Sequence, residues 1–185
     1  NMTTLLFRAN GDTMPSSWQA YQNMVGPDFF ATLGMRLERG RAFDDGDVLG
    51  APPVMIVSAS MARHFWPGQE ALGQCVRIGS DSLPCTTVVG VAANAVQDGF
   101  APDSVWQFWW PAAQKIAGQA WAGAYLARVR GDPAGVLADA RRALQAELTG
   151  DAVVELQPMR ELVEPSMRPW RLGRRCSWPS ARCRW

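Results

Sequence analysis

The sequence predicts an α+β domain of two lobes, and three observations carry that reading. Short apolar runs broken by glycine and proline recur through most of the chain, which is the punctuation of strands and hairpins. One long helical pattern, Leu137, Ala140, Leu144 and Leu148, stands between two segments of strand character. Hydrophobic residues make up 48% of the 185 and charged residues 19%, which is the balance of a chain that buries a core. One lobe is expected from the two ends, about 1–36 and 119–173, and a strand-rich lobe from the insert between them, about 37–118.

Taken in order, Thr4 to Ala9 is a short apolar run closed by the turn residues Asn10-Gly11-Asp12. Trp18 to Val25 alternates in part and is expected to be a strand. Pro27 and Asp28 suit the start of a short helix with Phe29, Phe30 and Leu33 on one face, and Gly34 suits its end. Val54 to Val57 reads as a buried strand. Ser58 or Ser60 can cap the helix after it, in which Met61, Ala62, Phe65 and Trp66 share a face before Pro67-Gly68. Gln74 to Gly79 and Thr86 to Ala93 read as a hairpin about Ser80-Asp81-Ser82, and Val105 to Trp110 as an aromatic strand. Ala122 to Arg130 and Ala152 to Leu156 are expected to be strands on either side of the long helix. That helix is opened by Gly131-Asp132-Pro133 and ended by Thr149-Gly150. Pro158 opens a last short helix through Met159, Leu162 and Val163.

Cys75 and Cys85 flank the expected turn symmetrically about Ser80. Directly opposed positions of an antiparallel hairpin come within disulfide reach. The alternative is a pair of small unpaired hydrophobes, the usual state in a reducing compartment. The symmetric placement favours the bridge, and with it an oxidising compartment. Cys176 and Cys183 lie in an Arg- and Trp-rich segment without periodicity, residues 174–185, which is expected to be disordered.

The net charge is +1, so nucleic acid is not an expected partner. No apolar run reaches the length of a bilayer-spanning helix. His64 is the single histidine and sits within a helical pattern, the place of a structural residue rather than a general base. Neither a histidine-based metal site nor a thiolate cluster can be assembled, and no cofactor is implied. Nucleophile elbows and phosphate-cradling glycine loops are absent from the sequence. Asp44, Asp45 and Asp47 lack the glutamate that would close a calcium loop. They read instead as a turn, with an Asp capping a segment or pairing Arg39 or Arg41. Trp106, Trp109 and Trp110 could form core, an interface or the wall of a ligand groove.

The order of these breaks resembles the extracytoplasmic domain of ABC-transporter permeases of the macrolide-exporter (MacB/FtsX-like) type. The residues that carry the resemblance are Val25 to Gly34, Gly40, Arg41 and Phe43 with Asp47, and Val54 to Val57. Phe65 to Gly68, Leu72-Gly73, Val88 to Val91 with Gly90, and Trp110-Pro111 with Gln114 continue it. Arg128 and Arg130-Gly-Asp-Pro133 complete it. The resemblance covers roughly Trp18 to Arg171.

It implies a porter-like βαβ lobe with an inserted strand-rich lobe, on the periplasmic face of a bacterial inner-membrane protein. It also implies that the motif residues Gly34, Gly40, Arg41, Phe43, Asp47, Pro67, Gly68, Gly73 and Gly90 are structural. No catalytic residue or cofactor would reside in the domain. Partners would be the parent permease's transmembrane helices, an ATP-binding subunit or domain, and periplasmic proteins. Against the family's pattern, a segment linking to a preceding transmembrane helix is expected before residue 1, and residues 174–185 depart from the pattern. Three functions are therefore distinguished: a non-enzymatic module of a permease that relays conformational change or contacts partners or substrate, a small-ligand-binding domain using the Trp106–Trp110 region, and a hydrolase. The third has the least support, with one histidine and no organised nucleophile.

Overall fold

A run of five residues, Val54–Ser58, is buried at every position, the pattern of a strand covered on both faces. In the computed structural model the described residues are 2–4, 6–8, 20–80, 82–95, 106–114, 124–148 and 153–164. In chain order the strands are β1 (Met2–Thr4), β2 (Leu6–Arg8), β3 (Ala20–Val25), β4 (Leu37–Gly40), β5 (Val54–Ser58), β6 (Cys75–Ile78), β7 (Thr86–Ala92) and β8 (Gln107–Pro111). The helices are α1 (Phe29–Leu33), α2 (Ala59–Phe65) and α3 (Pro133–Glu147), with a short 3-10 turn at Ala112–Gln114. Residues 159–164 are also helical, as Pro158 suggests. Two compact units result, Asn1–Arg128 and Val129–Trp185.

The strands of the first unit form one mixed sheet in the order β1-β3-β8-β5-β7-β6-β2, with β4 also on β7. β5 lies parallel to β7 and antiparallel to β8, and β8 lies parallel to β3. The strand expected in the first lobe, β3, is thus hydrogen-bonded to β8, which the sequence places in the insert. One edge of β7 is shared along its length: β6 pairs its start and β4 its end.

Alternation along the strands sorts the core into two clusters. Met55 and Val57 of β5 join Trp106, Phe108 and the buried residues of α2 in one. Val54 and Ile56 join Trp109, Phe30 of α1 and Phe43 in the other. Successive side chains of a strand point to opposite faces, so α2 covers one face and α1 with Phe43 covers the other. Burying each Phe or Met contributes roughly 1.5–3 kcal/mol.

The helix ends follow from local chemistry. Ser58, not Ser60, caps α2, its hydroxyl accepting from the Met61 amide at 3.3 Å. Asp132 caps α3 by accepting from the Ala134 amide at 3.1 Å, with Pro133 in the first turn. α3 ends at Glu147, short of Thr149-Gly150, which lie outside the described residues.

Some expectations are corrected. Residues 124–130 and 153–157 of the two segments expected to be strands carry no strand ladder. Residues 124–130 are exposed throughout, Tyr125 at 99%, and among the described residues no strand pairs with their backbone. No residue of α3 is buried. β4 was not anticipated, because Leu-Glu-Arg-Gly carries little apolar character. Its pairing is irregular, with a register shift between Leu37 and Arg39. Residues 174–185, with Cys176 and Cys183, lie outside the described residues.

Candidate functional site

The motif residues around Gly40 build a crossing point. Gly40 and Gly90 oppose each other across β4 and β7. A Cβ on Gly40 would stand 2.2 Å from the Val89 carbonyl oxygen, and Gly40 has a φ of +76°. A Cβ on Gly90 would stand 2.5 Å from the Arg41 carbonyl oxygen. The two backbones therefore meet at a distance only glycine permits, and the Arg41 amide donates to Val89 O at 3.0 Å.

From that point the chain turns through an ionic clamp. Arg41 donates to both carboxylate oxygens of Asp47, at 2.7 and 2.9 Å, and the Asp44 amide donates to Asp47 at 2.9 Å. Asp47 is buried, and the hydrogen bonds from Arg41 hold its carboxyl below the usual range against the opposing effect of burial. Asp44 pairs Arg41 and turns back on the Gly46 amide. Arg39 takes Glu70 instead, at 2.8 Å. Phe43 is buried against Phe30, with ring centroids 6.2 Å apart. The remaining motif glycines act in turns. Gly34 ends α1 in a left-handed conformation, and Pro67-Gly68 and Leu72-Gly73 each occupy the middle of a turn closed by one backbone hydrogen bond.

Cys75 and Cys85 form the disulfide, their Cα atoms 5.5 Å apart. The geometry differs from the expected directly opposed pair. Cys75 faces Thr87 and Val76 faces Thr86, so Cys85 lies just before the ladder begins. Gly79, at a φ of +91°, and Pro84, which has no N–H, leave the ladder early and lengthen the loop.

The three tryptophans do not form one surface. Trp106 is 4% exposed, in the cluster with Phe65, and the His64 ring stacks on it at 4.1 Å. Trp109 is 2% exposed, in the other cluster, against Phe30 at 5.4 Å. Period-two alternation separates them. Trp110, at the end of β8, lines a cavity of about 430 Å³ together with Met24, Leu49, Val54, Ile78 and Leu83 among others. The starts of β5 and β7 and the ends of β3, β6 and β8 converge there. Gln114 braces this end: its carbonyl accepts from the Val54 amide at 3.1 Å and its amide donates to Pro52 O at 2.9 Å.

Sequence reasoning missed Gln107, which is buried and donates its side-chain amide to Ala95 O, and the cavity rim residues Val48, Leu49 and Leu83. A glutamine inside an aromatic run was the only available signal for the first. Among the described residues no group of three His, Cys, Asp or Glu could hold a metal, and no helix is long and apolar enough to cross a membrane.

Comparison with known proteins gives a consistent result. The family model of the MacB-like periplasmic core domain matches residues 3–156. The chain is 41% identical over 90 residues to the macrolide export ATP-binding/permease protein MacB 1 of Aeromonas hydrophila, covering 48% of the chain and 13% of that protein. It is 32% identical over 129 residues to the macrolide export ATP-binding/permease protein MacB of Chromobacterium violaceum, covering 68% of the chain and 19% of that protein. The chain thus spans less than a fifth of the length of these relatives. In fold it is similar to the periplasmic region of MacB from Actinobacillus actinomycetemcomitans, with a TM-score of 0.58 at 18% identity over 78% of this chain and 63% of that one. A domain of a permease-like protein from Porphyromonas gingivalis gives 0.53 at 18% identity over 86% and 77%.

Proposed function

The chain belongs to the MacB-like periplasmic core domain family, and from that premise we propose that it is a non-enzymatic module that couples an ABC-type permease to work across the envelope. Membership places it on the periplasmic face of an inner-membrane protein. The finer role is to relay conformational change, or to contact partners or substrate, during export. The partners we propose are the permease's transmembrane helices, an ATP-binding subunit or domain that hydrolyses ATP, and periplasmic proteins. The two-lobe division, about 1–36 with 119–173 and an inserted 37–118, is part of the same proposal.

The observation that supports a relay best is the use made of the motif residues. Gly40 and Gly90 let two strands touch, Arg41 and Asp47 fix the turn that follows, and Cys75 and Cys85 tie a loop to the sheet. These residues stiffen the first unit, and a stiff body transmits a displacement where a soft one absorbs it. The test is removal of residues 20–164 from the parent permease, reconstituted in vesicles with its ATP-binding part. ATP hydrolysis should persist while transport coupled to it is lost. Transport at the unmodified rate, or turnover of ATP by the isolated chain, would contradict the proposal.

A further inference from the structure

The first two strands are neighbours in the chain and opposites in the sheet. β1 stands at one end of the strand order and β2 at the other, with five strands between them. Thr4 ends β1 and Leu6 begins β2, so a single residue separates the two. A flat sheet in this order would hold β1 and β2 about 29 Å apart at the usual strand spacing. From Thr4 to Leu6 the chain can reach only about 7 Å. The sheet therefore curls until its ends meet. Met2–Arg8 is the stave that closes it, with β3 along its first half and β6 along its second.

The registers agree with one closing strand. Thr4 stands opposite Ala20 and Arg8 opposite Val76, and Ala20 and Val76 belong to the same core cluster. Positions four apart share a phase in a strand, so the two edges set the segment the same way round. This stave is also the least firmly tied of those around it. Cys75–Cys85 bonds β6 to the loop before β7. β3 runs beside β8 over five residues, and its Tyr21 amide donates to Trp106 O at 2.9 Å. β1 and β2 offer each edge three residues, and the segment contains no cysteine.

We propose that Met2–Arg8 is a releasable strap. Paired, it closes the sheet of the first unit into a barrel; released, it opens the β3 and β6 edges together. An edge strand that departs leaves one row of backbone groups behind, whereas this one leaves two. The inference rests on topology, goes beyond the export role and does not depend on it.

Closure is tested in the full chain carrying Cys176→Ser and Cys183→Ser. Two cysteine pairs are introduced at directly opposed positions, Thr3→Cys with Tyr21→Cys and Phe7→Cys with Arg77→Cys. After mild oxidation, mass mapping should find the peptide 1–8 joined to both partner peptides in one molecule. An open sheet gives the segment one edge at a time, so molecules with either new bond but never both would overturn the proposal. Release is tested with Leu6→Pro, which removes an amide from β2 and leaves β1 unaltered. Hydrogen-exchange mass spectrometry should show about tenfold faster exchange over both Ala20–Val25 and Cys75–Ile78, the factor set by one to two hydrogen bonds. Exchange over Val54–Ser58 should stay as it was. Faster exchange confined to Cys75–Ile78, or no change at either edge, would overturn the proposal.

Discussion

Gly40 and Gly90 show how a single hydrogen atom in place of a side chain sets a strand crossing. A Cβ at Gly40 meets backbone oxygen at 2.2 Å, and no rotamer change relieves a backbone contact. Gly40→Ala should cost roughly 3 kcal/mol or more by adding overpacking to a disfavoured φ. Gly68→Ala, where nothing lies within 4 Å, should cost about 1 kcal/mol, and denaturant unfolding of the two variants would separate these cases. The Asp47 carboxyl is a second residue-scale test. Its folded-state pKa is depressed, chiefly by the hydrogen bonds from Arg41, whose own pKa is raised by the same bonds. A depressed carboxyl contributes stability that is complete above the ordinary carboxylate range and disappears as pH falls through the folded-state value. Asp47→Asn should therefore lose roughly 1–3 kcal/mol at neutral pH, and the gap to the native chain should narrow in acid. The spacing of Arg39, Arg41 and Asp47 left two partners open. The choice was not legible because Glu70, which occupies Arg39, lies 31 residues farther on.

At the scale of elements, the local signals were the most readable. The α2 and α3 starts and the Gly34 stop follow from caps and a proline position that act within one turn, whereas Asp28 makes no side-chain cap at the start of α1. Ser58 carries more than a cap: its hydroxyl also accepts from the Gln107 amide at 3.2 Å and bonds Ser60, all in the buried core. Ser58→Ala should cost about 2 kcal/mol, because it removes a hydrogen bond to a buried β8 amide as well as the helix cap. Asp132→Ala, an exposed cap, should cost about 0.5–1 kcal/mol in the same thermal comparison. The Cys75–Cys85 pairing was legible but its register was not. Pro84 and Gly79 determine where the ladder stops, and symmetry about Ser80 does not include them. Residues 124–130 show the converse limit: alternation gives strand character, but a strand exists only where an edge is available to receive it.

For the whole molecule, the sheet order was beyond the sequence. Parallel pairing of β3 with β8 and of β5 with β7 joins segments far apart in the chain, and apolar patterning says nothing about which run lies beside which. The cavity is hidden for the same reason, since its lining comes from the ends of five strands and two loops. What could be read was the ordered series of glycine, proline and aromatic breaks, whose structural parts hold the crossing and the turn that follows it. The central claim is that this is a periplasmic module, and its disulfide gives the most direct test. The bond closes a sequence separation of 10, worth roughly 2–3 kcal/mol, and persists only where the surroundings oxidise thiols. The measurement is peptide mass mapping of the protein taken from its own cells, with free thiols alkylated at harvest. Cys75 and Cys85 should appear joined and unalkylated; both cysteines recovered in alkylated form from intact, folded protein would contradict the periplasmic assignment.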